Sequence, residues 1–446
     1  MALGTGLRFG RGHLGVAIVL AGALVRAQVG PGITMLQEIA DAYVRLVLAV
    51  GQHDADYVDA YYGPPEVKAA VGRETPTLDA IGQRASALTG RLGTAVDDGT
   101  TGSDRWSALR HEHLRRQLHA LRTRVRMLTG TKLAFDEESR ALYDAVAPPH
   151  DAAHFQRVLD QLQQLLPGDG PLIERYDRFR RDFVIPGDRL STVFDLAIAE
   201  CRRRTLAHVA LPRGETFTLE YVTNKSWSGY NWYQGEYRSV IQVNTDLPIY
   251  VDRGVDLACH EGYPGHHVYN VLLEHHLVRA RGWTEFAVYP LFSPQSLIAE
   301  GTANYGIEVA FPGDERLRFE RDVLFPAAGL DPSRAEAYAR VHAIVERLSY
   351  AGNEAARRYL DGEWDRSTAA RWLAEYALMS PPRAEQRTRF MDQYRSYVIN
   401  YNLGQDLVKQ FVEQRAGTQV ERRWHEFVQL LTSPRLPSGL VMPPRR

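Results

Sequence analysis

At 446 residues the chain has the length of two or three ordinary domains or of one large helical unit. Its 53 Lys and Arg against 54 Asp and Glu leave a formal net charge of -1, which speaks against a nucleic-acid partner or an anionic membrane surface. Only Cys201 and Cys259 are present, which excludes a disulfide framework, and because both fall in predicted helices even a single bridge is not expected.

At the N-terminus Arg8 and Arg11 precede LGVAIVLAGALV (14–25), an apolar run of signal-peptide length and too short to span a bilayer. Val25 and Ala27 put small residues at the −3 and −1 positions, so cleavage after Ala27 and export to the periplasm or medium are expected. The alternative is an uncleaved segment that tethers the chain to a membrane, with no stable insertion of the mature part. From about Thr34 to Ala210 helical patterns follow one another between Pro and Gly breaks, as in TMLQEIADAYVRLVLAV and AAHFQRVLDQLQQLL. DADYVDAYYGPPEV (54–67) interrupts them with aromatics crowded before a Gly-Pro-Pro turn, a loop expected to pack on the body or line a cleft.

The pattern changes once. TFTLEYV (216–222) and YRSVIQVNT (237–245) alternate like strands and are joined by NKSWSGYNWYQGEY, rich in turn residues and aromatics. Helical patterns then resume in SLIAEGTANYGIEVAF (296–311), SRAEAYARVHAIVERLSYAGNEAARRYL (333–360) and GQDLVKQFVEQRAG (404–417). The expected architecture is mostly α with a small β-sheet: a leader over 1–27, a helical region over 28–210, a catalytic region over 211–433 and a tail over 434–446.

The stretch LACHEGYPGHHVYN (257–270) concentrates the chemistry. A helix-borne HExxH motif works because residues i and i+4 share a face, so two imidazoles converge on one metal ion while the glutamate meets its water. Here His260-Glu261 begins such a motif, but Pro264 occupies the i+4 position. On an unbroken helix His266 would point about 240° away from His260, and His267 would share its face about 10 Å further along the axis. Pro264 breaks that helix by colliding with the His260 carbonyl, and Gly265 accepts the dihedrals of the distorted turn. The expected result is a two-residue loop that returns His266 to the place of an i+4 ligand, with His267 a substrate contact or the competing second ligand. The bland alternative is a pair of core or capping histidines where one helix ends and another begins.

A hydrolytic zinc site takes three protein ligands and leaves one position open. Glu300, on an apolar helix where an unpaired charge would be costly, is the expected third, with Glu308 the competing carboxylate. Gly301 permits close helix approach, and Asn304, one turn on, shares the face and can orient an imidazole. Tyr397, Tyr401 and Arg395 are the candidates for stabilising an oxyanion. The strand YRSVIQVNT is expected to offer its edge to an extended peptide, with Asn244 near the cleft and Trp227, Tyr230 and Trp232 along it.

HEGYPGHH followed by AEGTANYGIE resembles a widespread bacterial family of uncharacterised proteins related to the gluzincin-type metallopeptidases, whose pattern is HE-x-x-PGHH and then an EG-containing helix. The late MDQYRSYVINYNLGQDLV segment is similar to that family's Arg/Tyr-rich stretch, ending here at Tyr401 to Gly404, and the likeness runs over roughly residues 34 to 420. It implies a zincin-like catalytic core embedded in a helical scaffold, with His260, His266 and Glu300 binding one zinc ion and Glu261 acting as general base. The chain departs from the family at Val268-Tyr269 and Thr302, and Asn304 stands where gluzincins carry aspartate.

The expected function is therefore zinc-dependent hydrolysis of a peptide or other amide bond. Mn²⁺, Fe²⁺ and Co²⁺ also suit such a mixed site. The competing classes are a hydrolase or lyase of small amides or esters, and an exported protein that binds a metal or peptide without turning it over.

Overall fold

The structure is a computed structural model and describes residues 31–97 and 105–441. The expected leader lies outside the described residues, and no helix among them is long and apolar enough to cross a membrane. The architecture is mostly α with a small β-sheet, as the periodicities predict.

Eight helices lead: α1 (Pro31–Val50), α2 (Pro65–Glu74), α3 (Leu78–Asp97), α4 (Arg105–Leu128), α5 (Phe135–Tyr143), α6 (Ala152–Leu165), α7 (Leu172–Arg180) and α8 (Leu190–Leu206). Their starts follow local chemistry, as where the Asp151 carboxylate accepts the His154 amide at 2.8 Å to cap α6. Between α1 and α2 the aromatic loop contains a short strand, β1 (Val58–Tyr61). After α8 come β2 (Thr216–Val222), β3 (Gly229–Gly235) and β4 (Arg238–Asn244).

The sheet differs from the expected pair of strands in two ways. The turn-rich connection holds β3 itself, and β4 lies in the centre, parallel to β2 and antiparallel to β3. The edge that YRSVIQVNT was expected to offer a peptide is therefore occupied on both sides. The alternation of Asn231, Tyr233 and Gly235, buried against exposed Trp232 and Gln234, is a strand signal that the crowd of turn-forming residues hides.

Helices α9 (Asp252–Leu257) and α10 (His266–Leu273) flank the histidine stretch, and β5 (Val288–Pro290) pairs antiparallel with β1. Then come α11 (Pro294–Ala310), α12 (Glu315–Phe319), α13 (Phe325–Ala328), α14 (Ala335–Glu346), α15 (Ala351–Leu360), α16 (Arg366–Tyr376), α17 (Pro381–Tyr394), α18 (Ile399–Ala416) and α19 (Val420–Leu431). The helix expected over 333–360 is two, because residues 347–351 tighten into three-residue turns that bury Leu348 against Phe155 and Leu159 of α6.

One core gathers α1, α3, α4 and α5 with Leu297, Tyr397 and Leu403; another gathers α8, the sheet, α9 and α10 with Ile298, Phe411 and Phe427. Helix α11 feeds both, Leu297 to one side and Ile298 to the other, and so is buried nearly all round. Its partner is α18. A Cβ on Gly301 would lie 2.4 Å from the Gly404 carbonyl oxygen, and one on Gly404 would lie 2.7 Å from that of Leu297. The expected close approach at Gly301 is thus met by a second glycine, and this crossing sets the positions of Glu300, Asn304, Tyr397 and Tyr401.

Candidate metal centre

The centre begins with the backbone break. Pro264 has no amide to give the His260 carbonyl, and the chain widens into a π-helical turn over Ala258–Gly262, with the Tyr263 amide donating to the Ala258 carbonyl at 3.0 Å. The Tyr263–Pro264 peptide is cis, and the Gly265 amide reaches back to Cys259 at 2.9 Å. A Cβ on Gly265 would sit 1.9 Å from the His260 oxygen, so no other residue fits there. Helix α10 starts at His266, which the loop has swung back toward His260.

His260 Nε2 and His266 Nε2 face each other at 3.2 Å. Glu300 Oε2 lies 3.4 Å from the first and 3.7 Å from the second. Tetrahedral ligands on bonds of about 2.0 to 2.1 Å stand about 3.3 to 3.4 Å apart, so the triangle has the dimensions of three ligand atoms on one ion. Orientation agrees with spacing. The Asn304 amide donates to the Tyr401 carbonyl at 3.0 Å, which leaves its oxygen to accept from His260 Nδ1 at 2.9 Å and turns an unprotonated Nε2 inward.

Tyr397, fully enclosed, donates to Glu300 Oε1 at 2.7 Å, while Glu300 Oε2 is buried without a hydrogen bond. Burial alone would raise the Glu300 carboxyl, but His260 and His266 outweigh it and hold the group well below the usual carboxylate range. Burial likewise opposes the charged form of His266, yet Glu300, Glu261 and Asp59 raise its pKa to about 9. Two imidazole nitrogens and an orphaned carboxylate oxygen gathered in one buried place have the donor types of a divalent-cation site.

Glu261 sits beside this triangle. Its carbonyl accepts from Asn231 of β3 at 2.8 Å, and its carboxylate lies so close to Gly229 that a Cβ there would be 2.8 Å from Oε1. Strand β3, an edge of the sheet, is therefore the wall beside the glutamate, in place of the expected β4. Tyr401 is close to both carboxylates: burial raises its phenol well above the usual value, and Glu300 and Glu261 add to the rise.

Other expected site residues are elsewhere. His267 is fully buried between Ser239 (2.9 Å) and Glu215 (3.1 Å), and burial lowers its pKa; both ring nitrogens are committed to these partners, so it braces the sheet. Asn244 clamps the loop before β3 by donating to the Lys225 and Trp227 carbonyls at 3.0 and 2.9 Å. The Arg395 guanidinium is taken by Glu138 at 2.7 Å, which removes it from oxyanion duty, and the Tyr397 hydroxyl is committed to Glu300. Glu308 pairs with Lys409 at 2.6 Å. Of the aromatics, Trp227 stacks on Tyr230, whereas Trp232 is half exposed.

Sequence reasoning missed Asp59. It stands on β1, accepts from Tyr230 at 3.0 Å and faces His266, Glu300 and Glu261; burial raises its carboxyl to about 6. The crowded aromatic loop was the available signal, since acids between tyrosines in a loop expected to line a cleft are placed to meet a ligand. The two thiols are free, with Cys201 and Cys259 facing each other at 2.7 Å in the core behind His260.

No protein-family model and no curated protein matches the chain. Among solved structures it is similar to two proteins described as putative lipoproteins. One, from Colwellia psychrerythraea, has 14% identity and a TM-score of 0.49 over 82% of this chain and 68% of that one. The other, described as of unknown function and from Shewanella oneidensis, has 12% identity and a TM-score of 0.43 over 84% of this chain and 75% of that one. The assignment to a gluzincin-related family is therefore corrected: no family model and no curated relative matches the chain, and the likeness in HEGYPGHH, AEGTANYGIE and MDQYRSYVINYNLGQDLV stands on those short segments alone.

Proposed function

We propose that the protein is a zinc-dependent hydrolase of peptide or other amide bonds. The observation that carries the reading is the triangle of His260 Nε2, His266 Nε2 and Glu300 Oε2, with Glu300 Oε2 left without any hydrogen bond. A bound Zn²⁺ supplies Lewis-acid polarisation of a carbonyl and acidifies water. His260, oriented by Asn304, and His266 and Glu300, the latter held by Tyr397, are the residues that hold it.

The chain's own part follows from placement. Among the described residues no hydrogen bond or ion pair to its carboxylate explains the buried charge of Glu261 beside the cluster; as a base it takes the proton of the attacking water and hands it to the leaving nitrogen. Tyr401, which keeps its proton, donates to the carbonyl oxygen as charge gathers there. Strand β3, with Gly229 against Glu261, favours an extended substrate along that wall. Export of the mature chain belongs to the same reading.

The test is Glu261→Gln in the zinc-loaded protein, against a library of short peptides. One zinc per chain is retained and turnover falls by about 100- to 10,000-fold. Retained turnover removes Glu261 as base, and a native protein that cannot be loaded with stoichiometric metal removes the site.

A further inference from the structure

Helix α17 presents Arg383 and Arg387 one turn apart, hence on one face. That helix lies across the loop before β3 and the loop before β1: Gln386 donates to the Lys225 carbonyl at 3.3 Å and Gln393 to Asp56 at 3.0 Å. Arg387 packs its guanidinium 4.8 Å from the Phe390 ring centre and 5.8 Å from that of Tyr401, a phenol that feels the charge of Glu261. Its Nε is buried without a hydrogen bond, and among the described residues no carboxylate pairs with it. Among the described residues no carboxylate is ion-paired with Arg383 either, although the charge of Asp252 reaches it. It lines two adjoining cavities, the larger of about 470 Å³ and shared with Arg180, the smaller reaching Leu257, which packs on Gly229 beside Glu261.

Three other enclosed arginines are neutralised by acids. Arg110 pairs with Glu285 at 2.6 Å, Arg124 with Asp54 at 2.7 Å and Arg316 with Asp256 at 2.9 Å. A guanidinium kept from water with no counter-charge is costly, and its planar fork matches a carboxylate. Burial depresses both Arg387 and Arg383, as expected of cations that lack a partner.

We infer that Arg387, with Arg383 behind it, receives a carboxylate of the substrate, so that the site acts on amides carrying a free carboxylate close to the scissile bond. This deepens the hydrolase reading and rests on it for turnover, while carboxylate capture stands or falls by binding.

The experiment uses a mixture of N-acetyl tripeptides with free C-terminal carboxylates and the same mixture amidated. With the zinc-loaded native protein, kcat/KM on the acids exceeds that on the amides by at least about 30-fold, and Arg387→Gln abolishes the preference. Arg387→Lys, which keeps the charge and loses the fork, recovers part of it, and Arg383→Gln lowers it less. Equal turnover of acids and amides by the native protein overturns the inference. Binding is read separately by calorimetry with Glu261→Gln protein: affinity for the acid mixture drops at least about 30-fold on adding Arg387→Gln. If native protein turns over neither mixture, the hydrolase reading fails and this titration alone decides; unchanged affinity overturns the inference. Should inorganic phosphate bind in an Arg387-dependent way while the tripeptide acids do not, the carboxylate assignment is overturned in favour of a phosphoryl group. Circular dichroism checks that each variant is folded, and where Arg387→Gln is not, Arg387→Lys is compared with native in both assays.

Discussion

Two clusters of histidine and carboxylate stand among the described residues, each with three donor atoms within 4.8 Å of one another: His260, His266 and Glu300 in one, Asp252, Asp256 and His342 in the other. In both, burial opposes protonation of a histidine and its acidic neighbours nonetheless raise it to about 9. The difference is the cation. Asp256 pairs with Arg316 at 2.9 Å and with Arg253 at 3.4 Å, so the second cluster already holds its positive charge and joins α9, α12 and α14. Among the described residues no arginine or lysine pairs with Glu300, whose neighbours are a phenol and two imidazoles. Donor atoms in the right number thus do not distinguish the two clusters; the guanidinium partners of Asp256, which Glu300 lacks among the described residues, do.

The sharpest way to break this comparison is to remove one histidine from each. His266→Ala should weaken zinc binding by more than the roughly 10- to 100-fold typical of an outer residue, while His342→Ala leaves zinc stoichiometry unchanged. Metal analysis after dialysis reads both, and equal losses would erase the distinction. Next in size, Asn304→Ala frees the His260 ring and should cost about 10- to 100-fold in zinc affinity, measured by competition with a chelator. Gly301→Ala forces α11 from α18 and should destabilise the fold by about 1 to 3 kcal/mol in urea unfolding.

The smallest effect concerns the strut. Because folding raises the His342 pKa above its ordinary value, protonated His342 adds stability that is complete below about pH 6.5 and disappears as pH rises through about 9. His342→Gln should therefore cost about 1 to 2 kcal/mol at pH 6, discounted for its partial exposure, and almost nothing at pH 10. Zinc should leave that profile unaltered, which denaturant titrations with and without metal will check.

Much of the centre was legible from spacing. Pro264 at the i+4 position announced a broken helix, and the geometry of that break predicted His266 as the returning group. Glu300 was legible as a charge in an apolar helix, and Gly301 as a contact point. His267 illustrates where such reading stops: one residue from His266, it points across the sheet to Glu215, and only the direction of α10 separates the two. Arg395 looked like a catalytic cation and is spent on Glu138, an acid 257 residues away in the chain.

The sequence by itself determined the mostly helical class, the site of the backbone break and the residue types that gather there, because helix periodicity and the chemistry of proline and glycine act over a few neighbours. Tertiary structure alone decided that β4 is central, that Asp59 on β1 comes to face His266, Glu300 and Glu261, and that among the described residues Arg387 stands without an acid while Arg316 has one. Those outcomes depend on which distant segments share a core, and pairing between them leaves no periodic trace in either segment.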